Sequence, residues 1–336
     1  MVVSSRSIKR GMVETSLCSI GYHILHPHEK GAESSNTPII CLHSSPRSSD
    51  EFLDIMPLLS SGRRTIVALD APGYGISENP YRSCTLEDIG SAFMEAMDVL
   101  LERPKKVILF GSLMGNFIAL SLATRHPEWV AACICVNLYY YPTAKVSDKP
   151  KVNNHSKTKT ENDATAEKEG KQNSKSSGRD DKNDIPLSQN DHSEIPDSWE
   201  LKSDGSMLAQ IHTKRSWVSN DPELNLRISQ AEITYLMNRR RRYKHGISIE
   251  DLSTVDLGIH AEKTVCPVLC VKGKASLDFF DAIGLKGTQQ FEKATGFLVD
   301  HEVKELVGAG SQINLVNQMP TKLASVVDIF LDGKNL

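Results

Sequence analysis

The stretch Lys106–Glu128, KVILFGSLMGNFIALSLATRHPE, decides the fold. Its first five residues are a β-prone apolar run too short for a helix, and continuous enough to be a strand buried on both faces. Helical spacing follows at Phe117, Ile118, Leu120 and Leu122, and stops before Pro127. Between them lies Gly111-Ser112-Leu113-Met114-Gly115-Asn116. Two glycines four apart at a strand-to-helix corner permit close backbone approach and a strained residue at the tip, the geometry of a nucleophile elbow. Working outward, Pro38–Leu42, Thr65–Leu69, Ala131–Val136 and Val268–Val271 are further buried-strand runs. Thr85–Leu101 reads as a helix with Thr85 as cap and Glu87 and Asp88 in its first turn. The alternation predicts an α/β chain with a mostly parallel, doubly wound sheet.

The pattern breaks after Tyr141. Asp148–Asn190 holds five apolar residues in 43 and mixes both charge signs with Ser and Asn. Such a tract buries too little area to offset its ordering entropy, so it is expected to be a disordered insertion. A helical region follows over about Asp197–Arg242, with Trp199, Trp217, Leu224 and Leu236 as anchors, before strand pattern resumes at Cys266. The expected organisation is an N-terminal core part (1–147), the insertion (148–190), a helical lid (191–262) and a C-terminal core part (263–336).

Composition excludes several classes. The 39 Lys+Arg against 42 Asp+Glu leave −3, no electrostatic ground for a nucleic-acid partner. No apolar run reaches the roughly 18 residues a membrane helix needs. MVVSSRSIKRGMVETS lacks the apolar segment of a secretory signal, so a cytoplasmic location is expected. The seven cysteines mostly lie inside strand-like runs without zinc spacing, and read as reduced, buried thiols. With no dinucleotide fingerprint, Walker loop or metal-spaced set, no cofactor and no metal are expected.

Sites in open parallel sheets form at the carboxyl ends of strands. The exits here are His43-Ser44-Ser45-Pro46-Arg47-Ser48-Ser49, Asp70-Ala71-Pro72-Gly73-Tyr74-Gly75-Ile76-Ser77 and the corner at 111–116. These turns resemble the α/β-hydrolase fold superfamily, in its lid-bearing branch with epoxide hydrolases and haloalkane dehalogenases. The likeness covers about Val13–Cys135 and Trp199–Leu331. It includes Gly308–Leu315 (GAGSQINL), similar to the Gly-x-Gly-His turn that precedes that family's last helix.

Carried over residue by residue, the resemblance puts the nucleophile on Leu113, the acid on Ser276 and the general-base histidine on Ser311. An aliphatic group has no lone pair for attack, and a neutral hydroxyl takes no proton at pH 7. Ser44 stands where the family has the Gly of His-Gly-x-Pro. The substitutes within reach are Ser112, one residue before the tip, His43, whose family counterpart serves the loop's own hydrogen bonds, and Asp278. Leu113 and Met114 read as floor of the old pocket. The backbone N–H groups of Met114 and Ser45 remain as donors for a carbonyl or carboxylate, so His43, Ser44, Ser45, Leu113 and Met114 form the expected ligand pocket. Arg239–Arg242 with Lys244 and His245 read as a solvated helix end. Two functions follow: a non-catalytic member binding a small apolar ligand or a protein partner, or a hydrolase of an ester, epoxide or similar bond using non-standard groups. A cofactor-free lyase or oxygenase ranks last, since such relatives keep the histidine.

Overall fold

The computed structural model describes residues 7–27, 37–59, 63–140, 204, 206–215, 221–250, 255–282, 284–308 and 314–336. All belong to one compact unit, residues 1–143 with 194–336. The insertion expected at 148–190 lies outside the described residues, as do Trp199, Trp217 and Ser311.

Eight strands form one sheet: β1 (Lys9–Glu14), β2 (Ser19–Leu25), β3 (Ile39–Leu42), β4 (Ile66–Leu69), β5 (Val107–Ser112), β6 (Val130–Val136), β7 (Val268–Gly273) and β8 (His301–Leu306). Their spatial order is β1-β2-β4-β3-β5-β6-β7-β8. The β1–β2 and β2–β4 pairs are antiparallel, and the rest are parallel. The five apolar runs are the central strands. Flanking them are α1 (Leu86–Leu100), α2 (Met114–Arg125), α6 (Lys274–Ala282), α7 (Gly287–Gly296), α8 (Leu315–Gln318) and α9 (Pro320–Gly333). Between β6 and β7 lie α3 (Ser206–Arg215), α4 (Pro222–Lys244) and α5 (Leu257–Glu262). The helical region read over 197–242 is therefore two described helices.

Strand period two sorts the apolar runs onto opposite faces. Ile39, Cys41, Ile66, Ala68, Ile108 and Phe110 pack with Leu323, Val327 and Phe330 of α9. Ile40, Leu42, Val67, Leu69 and Leu109 pack with Phe93 and Met97 of α1 and with Phe117 of α2. Each fully buried aliphatic or aromatic side chain contributes about 1.5–3 kcal/mol, so this double-sided core dominates the stability. Thr85 caps α1 by accepting from the Asp88 amide, while Asp88 accepts from the Thr85 backbone. Asp221 caps α4 ahead of Pro222, which suits a first helical position because it has no N–H to satisfy.

Candidate functional site

The corner after β5 is built as the spacing predicts. Leu113 adopts φ +47°, ψ −104°, a conformation unfavourable for any residue with a Cβ. Such backbone strain costs on the order of 1–3 kcal/mol and persists only where surroundings enforce it. They do so here. The Leu113 amide donates to the Val136 carbonyl (3.1 Å), and Asn116 Nδ2 donates to the same oxygen (2.9 Å). A Cβ on Gly115 would stand 1.9 Å from the Leu42 carbonyl oxygen, so only glycine lets α2 start this close to β3. Leu113 and Met114 are half-buried and pack against the α1–α2 side of the core.

The turn after β3 carries His43 and Ser44. His43 Nδ1 meets the Ser44 carbonyl (2.8 Å), and Nε2 accepts from the Ala71 amide (2.9 Å). Those partners fix the tautomer and occupy both ring nitrogens, which ties the β3 turn to the β4 turn. Ser112 is buried and donates to Glu51 Oε1 (2.9 Å). Glu51 Oε2 accepts from both the amide (2.7 Å) and the hydroxyl (3.0 Å) of Ser44. Glu51 thus joins the β3 turn to the end of β5 as a buried carboxylate with three donors. Sequence reasoning missed it. Ser45 is exposed and shares a hydrogen bond with the Tyr74 hydroxyl (3.1 Å).

The turn after β4 is organised by Asp70, whose Oδ1 accepts from the Ser49 amide (2.6 Å) and Oδ2 from the Ile76 amide (2.9 Å). Gly75 has φ +51°, and a Cβ there would lie 2.2–2.4 Å from the Asp70 carboxylate. Tyr74 stacks on Tyr235 of α4, with centroids 4.5 Å apart and planes 20° apart. Asn238 Nδ2 donates to the Gly73 carbonyl (3.2 Å) and Arg242 Nη1 to Asn79 Oδ1 (2.9 Å). Arg227, nearer the start of α4, pairs with Asp54 at 2.8 Å. So α4 lies across these strand-exit turns. Arg242 corrects the reading of a solvated cluster: its side chain is buried, with Cζ 5.9 Å from the Tyr235 ring centroid.

The remaining candidates are dispersed. Ser276 is fully buried on α6, with its hydroxyl 3.0 Å from that of Tyr139. Asp278 is exposed and pairs with Lys274 Nζ at 2.6 Å, one helical turn back. Ser311 is not among the described residues. No described group of three or more His, Cys, Asp and Glu residues is placed to hold a metal ion. No described helix is long and apolar enough to cross a membrane.

Next to Ser49, buried His23 meets its hydroxyl through Nδ1 (2.9 Å), and Nε2 lies 3.5 Å from Asp50. Burial pushes the imidazole below its ordinary value, against the opposing pull of Asp50 and Asp70; Arg10 adds to the lowering. A base with a depressed folded pKa leaves the unfolded chain holding more protons. Stability is therefore complete above the ordinary histidine value and falls as pH drops below it. Urea unfolding between pH 7.5 and 5 should show that decline, and His23→Gln should flatten it. An equal slope in the variant would assign the decline to other groups.

The alpha/beta hydrolase fold family matches residues 37–246. The acetyltransferase component of an acetoin-cleaving system from Pseudomonas putida is 29% identical over 113 residues, 34% of this chain and 30% of that protein. A non-heme haloperoxidase assigned to Mycobacterium phage D29 is 26% identical over 103 residues, 31% of this chain and 36% of its own. The chain spans about a third of the length of these curated relatives. Among solved structures, an enol-lactonase from Burkholderia xenovorans superimposes with TM-score 0.61 at 16% identity, covering 95% of this chain and 99% of that one. At that identity the likeness concerns fold alone. Eight strands in this order, a strained corner after β5 and a family match over most of the chain lead to one conclusion: the chain belongs to the alpha/beta hydrolase family.

Proposed function

We propose that this chain keeps the hydrolase scaffold without its chemistry and uses the strand-exit pocket to bind a small apolar ligand or a partner. The observation that carries the reading is Leu113, an isobutyl group held at φ +47° where the geometry presents a nucleophile. It has no lone pair to form an acyl or alkyl intermediate. Ser276 and Ser311 leave the acid and base positions without a titratable group in the neutral range. Triad members act as a unit, so three such positions together leave little of the rate.

The substitute groups support the same reading. His43 has both nitrogens engaged in backbone hydrogen bonds. Ser112 is buried and donates its hydroxyl hydrogen bond to Glu51, and Asp278 faces solvent beside Lys274. On this reading the helices between β6 and β7 act as a lid that shelters the bound group. The test is a fluorophosphonate probe with ester and epoxide panels on purified protein. No labelling and background turnover are expected. Labelling abolished by Ser112→Ala would reverse the assignment and make the chain an unconventional hydrolase.

A further inference from the structure

Val299, Val303 and Val307 are 80%, 41% and 60% exposed. Val303 lies within β8, Val299 just before it and Val307 just after it. Their even spacing puts all three on one face of an extended chain. β8 ends the strand order: β7 pairs with one side of it, and among the described residues nothing pairs with the other. The Val268 amide of β7 donates to the Asp300 carbonyl (3.0 Å), so the even-numbered residues of β8 turn their backbone groups toward β7. The N–H and C=O groups of His301, Val303 and Glu305 therefore point outward as an open ladder.

An antiparallel partner must set outward groups against outward groups, so odd positions face odd positions. With a second copy of the same strand, the position of the two-fold axis decides the pairs. An axis at Glu302 opposes that carboxylate to its own copy, and one at Lys304 opposes two ammonium groups. An axis at His301 brings Asp300 against Glu302, and one at Glu305 sets that residue against itself. Only an axis at Val303 avoids like charges. It sets valine on valine, Glu302 against Lys304 on both sides of the axis and His301 against Glu305, and it brings Val299 level with Val307. The charged pair is accessible for this: Lys304 is exposed, and Glu302 is 43% exposed, since Lys334 Nζ, 3.8 Å away, lies nearer Asp300 (3.4 Å).

We propose that β8 pairs antiparallel with β8 of a second copy of this chain about a two-fold axis at Val303, joining two eight-stranded sheets into one. Such an interface is isologous, so each Glu302–Lys304 pair is made twice. Main-chain hydrogen bonds supply the join and the valines cover one another across it. Lys and Glu on an edge strand ordinarily deter pairing. Here their order around Val303 is complementary to itself, which selects a second copy over an unrelated strand. The inference is independent of what the strand-exit pocket binds.

The experiment is sedimentation velocity of the full chain at about 0.1 mM, which detects a dimer of micromolar Kd. The native chain is expected to run at twice the 37.1 kDa of one copy. Glu302→Lys and Lys304→Glu each put like charges into both pairs, so either alone should weaken the dimer at least about tenfold. Mixed in equal amounts, the two variants regain opposite charges and should associate again. Val303→Cys meets its own copy with Cα atoms about 5.5 Å apart, within disulfide reach, and should cross-link under mild oxidation. Val299→Cys, about 27 Å from its copy at roughly 3.4 Å per residue, should not. The seven native thiols are buried and stay silent. A native chain that remains monomeric would overturn the proposal and leave the charges as protection of a bare edge. A dimer that neither single variant weakens would place the interface on another surface. A variant mixture that stays monomeric, or equal cross-linking through Val299→Cys, would overturn the axis at Val303.

Discussion

Leu113→Ser, Ser276→Asp and Ser311→His made together are expected to raise ester hydrolysis about 10²–10³-fold over the parent chain and to confer fluorophosphonate labelling. The corner backbone already holds residue 113 in the required conformation, enforced by Val136, Asn116 and Gly115 rather than by the side chain. A hydroxyl there is presented without further rearrangement. On the proposed reading the three positions stand for a triad whose members work together, so Leu113→Ser alone should gain less than about tenfold. Ser276→Asp alone introduces a fully buried carboxyl beside the Tyr139 hydroxyl, and should lower the melting temperature. Initial rates on p-nitrophenyl esters measure the gain. A triple variant that melts within a few degrees of the parent and stays inert would show that the pocket, and not only its reactive groups, has diverged.

Asp70→Ala should destabilise the chain by about 3–5 kcal/mol. The carboxylate is buried and satisfies two backbone amides, at Ser49 and Ile76, that have no other acceptor in the described structure. Each amide left without a partner costs about 1–3 kcal/mol, and hydrogen bonds to a charged acceptor lie at the upper end. The turn after β4 also positions Tyr74 beneath Tyr235, so the variant should loosen α4 before the sheet melts. Urea denaturation followed by circular dichroism gives the loss, and Asp70→Asn, which keeps one acceptor, should fall between. A loss under about 1 kcal/mol would mean that water replaces the carboxylate and that the turn is held elsewhere.

The central sheet was legible because β3 to β7 are buried on both faces and so leave continuous apolar runs. The strands not foreseen lie toward the rims. On β1 and β8 most residues are exposed or half-exposed, and Lys, Arg and Glu replace the apolar run, so their identity as strands depends on neighbours rather than on composition. Apolar spacing marks α2 only from Phe117, whereas the helix begins at Met114: the glycine corner is tighter than propensity alone implies.

At the site, the turns of His43, Asp70 and Leu113 were readable because each has fixed spacing relative to a strand end. Glu51 and Arg47 carry no such mark. They lie in a polar turn, SPRSSDEF, where charged residues are expected to be solvated. Only the closure of that turn onto β5 and α4 buries them. Arg242 is hidden from the sequence for the same reason, since a run of four arginines conceals the one that faces inward.

Burial of all seven cysteines as free thiols carries a practical corollary. Desolvation pushes Cys84 up to about 11, and Cys18 and Cys270 to about 12, which leaves scarcely any reactive anion at neutral pH. Cys266 runs the other way, lowered chiefly by its hydrogen bond with Cys133, so burial is what should keep a maleimide dye dark on the native chain until the sheet opens. No engineered label is needed to follow denaturation in real time.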